Sequence, residues 1–142
     1  MLDPAPQARP FRPLLVLVED DRAVLGALTF AFETEGYQVA AFRDPASALA
    51  APETRRASCL VVDQRLPGMS GLEVVAHLRA EGVAAPALLI TTHPTAQLHR
   101  AAAAAEIEIV EKPLLGDVLA AKVRTATHMP GGERGLAPIS RD

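Results

Sequence analysis

Residues 14–18 read Leu-Leu-Val-Leu-Val, and Glu-Asp-Asp follows directly at positions 19–21. A continuous apolar run of this length is typical of a strand that is buried on both faces of a parallel sheet. The acidic triplet then stands at the carboxyl end of that strand. The stretch therefore predicts an α/β protein and marks the first place to look for its chemistry.

Outward from this strand, the chain alternates between strand and helix patterns. Further strands are predicted at 38–42, 58–63, 87–91 and 108–110, and helices at 23–35, from Asp44-Pro45 to near Pro52, at 70–81, 95–105 and 115–126. The apolar faces of the first and last helices are predicted to consist of Val24, Leu28, Ala31 and Phe32, and of Leu115, Val118, Leu119 and Val123. Asp21 is interpreted as a residue that flanks a helix start, and Ser70 with Glu73 matches a capping box. Alternation with short links implies five parallel strands with helices on both faces.

Length and composition limit the organisation and the class of partner. A chain of 142 residues fits one domain, predicted at 14–128, between a disordered N-terminal tail (1–13) and a flexible C-terminal tail (129–142). The net charge of −3 argues against direct nucleic-acid binding, which usually requires a basic face. No apolar run of about 18 residues is present, so no membrane segment is expected. No signal peptide is visible at the N-terminus, so the cytoplasm is the expected compartment.

The candidate functional residues are those that follow the strands, since the carboxyl ends of parallel strands hold the sites of open α/β sheets. They are Glu19 and Asp20 after the first strand, Asp63 after the third, Thr91 at the end of the fourth and Lys112 after the fifth. Three carboxylates in one place repel one another, so a hard divalent cation is expected, Mg²⁺ or in its place Mn²⁺. With a hydroxyl and a lysine, this set fits phosphoryl transfer with a carboxylate nucleophile.

Four segments together carry a resemblance to a known family. They are Leu-Val-Glu-Asp-Asp at 17–21, Val-Val-Asp-Gln-Arg-Leu-Pro-Gly-Met-Ser-Gly-Leu-Glu at 61–73, Leu-Ile-Thr-Thr-His at 89–93 and Val-Glu-Lys-Pro-Leu at 110–114. In this order and spacing they resemble the receiver domain of two-component response regulators, in its single-domain, chemotaxis-regulator-like form. The resemblance implies a flavodoxin-like fold with strand order 2-1-3-4-5.

The resemblance also implies roles for individual residues. Asp63 matches the aspartate that accepts a phosphoryl group from a histidine kinase. Asp20 matches the main acidic Mg²⁺ ligand, Glu19 matches its neighbour that binds through water, and the backbone carbonyl of Arg65 matches a further ligand. Thr91 matches the hydroxyl that hydrogen-bonds the phosphoryl group on activation.

Other positions match the family or depart from it. Lys112 matches the family's lysine, and its bond to Pro113 is expected to be cis. Ile109 stands at the switch position, where the family usually has Tyr or Phe, so coupling to the activating hydroxyl cannot work by ring burial. Arg65 and His93 occupy positions that tune dephosphorylation in the family, and their bulk suggests a shielded phosphoryl group.

The resulting expectation is a phosphoacceptor protein rather than an enzyme, supporting only its own phosphorylation and dephosphorylation. Because the chain stops after one domain, its signal is expected to pass by protein contact. The expected partners are a sensor histidine kinase or a histidine phosphotransfer protein and a downstream protein target. A homodimer through the face of the fourth helix, fifth strand and fifth helix remains open.

Alternative functions also remain open. Ile109 favours a phosphorylation-independent interaction module on the same fold. The segment around Asp63 also resembles regulators that carry DNA-binding domains, so a fragment of such a regulator is a third hypothesis. Arg65 argues against a Mg²⁺-dependent hydrolase with an aspartyl intermediate, because such an enzyme normally carries a second acid two residues after its nucleophile.

Overall fold

A computed structural model describes residues 12–114 and 117–128. The strands are β1 (Leu14–Val18), β2 (Gln38–Phe42), β3 (Cys59–Asp63), β4 (Ala87–Thr91) and β5 (Glu108–Glu111). The helices are α1 (Arg22–Thr34), α2 (Pro45–Ala50), α3 (Gly71–Ala80), α4 (Ala96–Ala104) and α5 (Val118–Thr127), with a 3₁₀ helix at Pro52–Arg56 that the sequence reasoning did not predict. The predicted tails, apart from residues 12 and 13, lie outside the described residues. Within those ranges, no helix is both long enough and apolar enough to cross a bilayer.

The five strands form one parallel sheet in the order β2-β1-β3-β4-β5, which confirms the predicted flavodoxin-like topology. The chain proceeds from β1 to one edge of the sheet and then returns through β3 to the other edge. The loops that follow β1 and β3 therefore lead to opposite faces and leave a crevice between them. The acidic residues after these two strands lie at that crevice.

Helices cover both faces of the sheet, as predicted, and each face has its own core. On one face Val16, Val62 and Leu89 pack with residues of α2, α3 and α4. On the other face Leu17 and Val61 pack with residues of α1 and α5. All five residues of β3 and all five of β4 are buried, so the two central strands form a rigid support for the side chains at their ends.

The predicted helix starts are present. The Asp21 side chain accepts a hydrogen bond from the Val24 N–H at 3.1 Å and caps α1. Asp44 caps α2 through the Ser47 N–H at 2.8 Å. Ser70 and Glu73 form the complete reciprocal capping box of α3. These short polar caps satisfy helix N–H groups that have no partner within the helix.

Two helix faces differ from the prediction. In α1, Ala31 is exposed and Leu25 is buried instead. In α5, Leu119 and Val123 are buried as expected, but Val118 is 51% exposed. In α5 the buried face is completed by small residues, since Ala120 and Ala126 pack on the core beside Leu119 and Val123. Leu115, also predicted on this face, lies outside the described residues.

The end of α4 leads to a stability prediction. Ile107 N–H donates to the Ala102 carbonyl at 2.8 Å and Glu106 N–H to the Ala103 carbonyl at 3.0 Å, the Schellman arrangement. This places Glu106 at φ 59°, a conformation that favours glycine. We expect Glu106→Gly to raise the free energy of unfolding by about 0.5–1 kcal/mol in urea titrations.

The neighbouring residue provides the control for this substitution. Ala105 is the C-cap of the same helix and has φ −93°, where glycine brings no relief of strain. We expect Ala105→Gly to lower stability. Destabilisation by Glu106→Gly as well would contradict the strain argument.

Candidate functional site

A cleft of about 500 Å³ opens at the carboxyl edge of the sheet. It is lined by Glu19, Asp20, Asp21, Asp63, Arg65, Thr91, Thr92, His93 and Lys112. The structure thus brings together the residues that follow β1, β3, β4 and β5, as their positions at the strand ends predict. The predicted strand-end residues thus line one cavity.

Lys112 is the charged centre of this cleft. Its Nζ donates to Glu19 Oε1 and to Asp63 Oδ2, each at 3.3 Å. The Glu19 and Asp63 side chains are only 3% and 6% exposed, and that of Lys112 is 24% exposed. Two nearly buried carboxylates therefore share one ammonium group, which itself reaches solvent.

Backbone amides hold the other oxygen of each carboxylate. Glu19 Oε2 accepts from the Asp21 N–H at 3.0 Å, and Asp63 Oδ1 lies 3.5 Å from the Arg65 N–H donor. Glu19 is therefore held on both sides, by Lys112 and by the Asp21 amide, whereas Asp63 is held by Lys112 and has only a long contact with the Arg65 amide. This arrangement orients both groups before any ligand is present.

The electrostatics of the cleft are unbalanced. Burial raises the pKa of the Glu19 carboxyl above its ordinary value and the Asp63 carboxylate raises it further, against the lowering effects of the Asp21 N–H and of Lys112. Burial alone lowers the pKa of Lys112, but the carboxylates of Asp63 and Glu19 outweigh it and the pKa is raised. Negative charge is thus in excess around one lysine.

The donor set fits a hard divalent cation. Glu19, Asp20 and Asp63 each offer a carboxylate oxygen, and these oxygens lie within 4.8 Å of one another. Mg²⁺ prefers carboxylate and water oxygens, and Asp20 is exposed, so water can reach this side of the cluster. The residues present therefore suit the cation that the sequence reasoning expected.

The remaining predicted residues differ in their relation to the cleft. Thr91 is 7% exposed and lines it from the end of β4, while Arg65 and His93 are exposed at its rim. The bond between Lys112 and Pro113 is cis, as expected. Ile109 is not among the lining residues.

Ile109 instead lies on a neighbouring part of the sheet. It pairs with Leu89 in the register of β4 and β5, and it is partly buried against the core on the α4 face. Thr91, two residues after Leu89, lies on the same face of the sheet because side chains alternate along a strand. Ile109, the predicted switch residue, and Thr91 thus lie on the same face of two adjacent strands.

Two residues that contact or adjoin Asp63 in the structure, Gln64 and Gly71, are not among the predicted site residues. Gln64 accepts hydrogen bonds from the first turn of α3, and Gly71 packs directly on the Asp63 backbone. A Cβ at Gly71 would lie 2.4 Å from the Asp63 carbonyl oxygen. The available signal was a glycine at the first position of a helix, where propensity does not favour it.

Comparison with known proteins gives one family. The model of the response regulator receiver domain matches residues 15–124 of the chain. The probable transcriptional regulatory protein TcrX of Mycobacterium tuberculosis is 41% identical over 81 residues, 56% of this chain and 35% of its own length. The transcriptional regulatory protein FixJ of Azorhizobium caulinodans is 32% identical over 111 residues, 78% of this chain and 53% of its own. The chain thus spans only about a third to a half of these relatives.

Solved structures agree on the fold. A CheY-like receiver domain protein from Methanospirillum hungatei superposes with a TM-score of 0.77 at 21% identity, covering 83% of this chain and 95% of the other. The crystal structure of FixJ-N gives a TM-score of 0.72 at 26% identity, covering 84% of this chain and 97% of the other. The five-stranded architecture described above is shared with both.

Proposed function

Because the chain belongs to the response regulator receiver domain family of two-component signalling, we propose that it is a phosphoacceptor and that Asp63 is the accepting residue. The observation that carries the proposal is the contact of Lys112 with both Asp63 and Glu19, at 3.3 Å each, in a cleft open to solvent. A nearly buried carboxylate that a lysine orients and that is still reachable from solvent is suited to act as a nucleophile.

In the proposed reaction, an oxygen of Asp63 attacks the phosphorus of a phosphohistidine on the donor protein. The bond between phosphorus and the imidazole nitrogen breaks, and its electron pair returns to that nitrogen. An acyl phosphate is left on Asp63. Lys112 balances the added negative charge, and the Thr91 hydroxyl at the end of the neighbouring strand donates a hydrogen bond to a phosphoryl oxygen.

Glu19, Asp20, Asp63 and the backbone carbonyl of Arg65 would hold Mg²⁺, with Mn²⁺ as its substitute. When bound, the ion supplies positive charge that neutralises the phosphoryl oxygens. Support for this assignment comes from the short distances between the three carboxylates and from the excess of negative charge around Lys112.

Two rim residues are proposed to control the lifetime of the phosphoryl group. Arg65 and His93 are exposed and line the cleft mouth, where bulky side chains restrict the approach of water. Ile109 is proposed to respond to phosphorylation by a small repacking against α4 rather than by the burial of a ring. Thr91 is proposed to connect phosphorylation at Asp63 with this repacking of Ile109.

Small-molecule phosphorylation tests the function without a partner protein. The protein is incubated with acetyl phosphate and Mg²⁺, and its intact mass is measured, with a chelator added to a parallel sample. We expect one added phosphoryl group, and little or none with the chelator. A folded protein that gains no phosphoryl group at all would sink the proposal.

The proposed donor is a sensor histidine kinase or a histidine phosphotransfer protein, and α1 is its proposed docking face. This helix starts directly after the cleft residues Glu19–Asp21, and its outward side is unusually apolar. Phe30 is 73% exposed there, and Ala23, Gly26 and Ala27 beside it are exposed as well. A partner that covers the cleft mouth can extend along this uncharged side.

We therefore expect Phe30→Glu to slow phosphotransfer from a purified kinase that phosphorylates the unmodified chain, by about tenfold. Because Phe30 is outside the cleft, the rate with acetyl phosphate should not change. Ala104→Glu, at an exposed position on the opposite face of the sheet, is the control and should leave both rates unchanged. Equal kinase rates for all three proteins would exclude α1 as the docking face.

The downstream partner is proposed to be a protein, and the face of α4, β5 and α5, where Val118 is 51% exposed, is a candidate homodimer contact. Two other outputs remain alternatives. Some relatives are named as transcriptional regulatory proteins, so an output on transcription is one of them. The packing of Ile109 into the core favours the other, a module whose partner binding does not depend on Asp63.

A further inference from the structure

Gln64 stands between the phosphoacceptor candidate and Arg65, and its three hydrogen bonds reach β4 and the first turn of α3. Its backbone N–H donates to the Ile90 carbonyl on β4 at 2.8 Å, and its backbone carbonyl accepts from the Gly71 N–H at 3.0 Å. Its side-chain Oε1 accepts from the Leu72 N–H at 2.9 Å. One residue therefore ties the end of β3 to β4 and to the first turn of α3.

The loop from Gln64 to Ser70 is thereby closed at both ends. At its far end Ser70 N–H donates to Glu73 Oε1 at 2.9 Å, and Glu73 N–H donates to Ser70 Oγ at 3.1 Å. The N–H groups of Gly71 and Leu72 donate their hydrogen bonds to Gln64. The four donors at the start of α3 are all satisfied, two by the capping box and two by Gln64.

The near end of this loop carries the Arg65 amide, whose N–H lies 3.5 Å from Asp63 Oδ1. A contact of that length is at the limit for a hydrogen bond and exerts little restoring force of its own. Its geometry depends on where the loop is held. The Gln64 carbonyl and the Arg65 N–H belong to one peptide group, which the Gly71 N–H holds at 3.0 Å. The bond that the Gln64 side chain accepts from the Leu72 N–H at 2.9 Å anchors the same residue a second time.

We infer that Gln64 is a positioning residue for the cleft: the bond that its side chain accepts from Leu72 adds to the backbone bond with Gly71 and keeps the Arg65 N–H near the Asp63 carboxylate. This inference rests on the proposed function, because it gives Gln64 a purpose in phosphoacceptance. A residue that only capped α3 would change the stability of the fold and leave the binding of a phosphoryl analogue unaltered. The two roles are therefore separable by experiment.

The test compares two ways of weakening the same helix start. Gln64→Met keeps the length of the side chain and removes the acceptor, whereas Ser70→Ala removes the capping hydroxyl at the far end of the loop. Gln64→Glu keeps an acceptor oxygen in the same place. Beryllofluoride affinity in the presence of Mg²⁺ is measured by fluorine NMR, and stability is measured by urea unfolding.

We expect Gln64→Met and Ser70→Ala to lose stability to a similar extent, and only Gln64→Met to bind beryllofluoride more weakly, by about fivefold. Gln64→Glu should bind within about twofold of the unmodified protein. If Gln64→Met does not fold, Gln64→Ala provides the same comparison, because it also removes the acceptor.

Each outcome has a distinct meaning. Beryllofluoride binding by Gln64→Met that equals that of the unmodified protein overturns the inference and leaves the proposed function intact. Weakening by Ser70→Ala to the same extent also overturns it, because the effect would then come from α3 as a whole. Failure of the unmodified protein to bind beryllofluoride overturns both the proposed function and the role of Gln64.

Discussion

We expect Asp63→Asn to abolish the binding of beryllofluoride, with no protein-bound fluorine resonance at any concentration that saturates the unmodified protein. The amide has nearly the shape of the carboxylate but is neither an anion nor a nucleophile, so it cannot bond to beryllium or phosphorus. The fold should survive, because Lys112 keeps its contact with Glu19 at 3.3 Å. We expect a complete loss of beryllofluoride binding, measured by fluorine NMR in the presence of Mg²⁺.

Asp21→Asn is the matched control for this substitution. Asp21 lines the same cleft, and the same exchange of oxygen for an amide is made there. Asparagine caps helices about as well as aspartate, so α1 should remain capped at the Val24 N–H. We expect Asp21→Asn to bind beryllofluoride. If Asp63→Asn also binds beryllofluoride, Asp63 is not the phosphoacceptor.

Gly71→Ala has the largest expected effect on folding. An added Cβ would lie 2.4 Å from the Asp63 carbonyl oxygen and 2.8 Å from Leu89 Cδ1. The first of these atoms belongs to the backbone of a fully buried strand, so it cannot move aside. We expect α3 to be pushed away from β3 and the free energy of unfolding to fall by about 2–3 kcal/mol in urea.

Gly26→Ala separates this contact from the general effect of replacing glycine in a helix. Gly26 lies in α1, and no atom of a neighbouring element comes within 4 Å of the position that a Cβ would take there. Alanine there should raise stability by about 0.5–1 kcal/mol, since it is the better helix former. A lower free energy of unfolding for Gly71→Ala and a higher one for Gly26→Ala would support the close contact between Gly71 and the Asp63 backbone. An unchanged free energy of unfolding for Gly71→Ala would show that α3 can move away from β3 without loss of stability.

The fold was predictable because its signals are local. Continuous apolar runs such as Leu14–Val18 identify strands buried on both faces, and Asp44 and Ser70 mark helix starts by their capping chemistry. The faces of the helices were less predictable. Ala31 and Val118 count as apolar in a sequence pattern, but which side of a helix meets the sheet depends on packing with other elements.

The candidate site was predictable to the extent that it consists of strand ends. A parallel sheet brings Glu19, Asp63 and Lys112 to one edge whatever the loops do, so their positions after apolar runs were sufficient. The support of Asp63 was not predictable in this way. Gln64 acts through an acceptor bond to a helix that starts several residues later, and Gly71 through a close backbone contact.

The most direct measurement locates the phosphoryl group itself. The protein is treated with acetyl phosphate and Mg²⁺, reduced with borohydride, which converts an aspartyl phosphate to homoserine, and then digested for tandem mass spectrometry. We predict homoserine at position 63 and aspartate at positions 20 and 21. Homoserine at another position, or unreduced aspartate at position 63 in a protein that has gained a phosphoryl group, would contradict it.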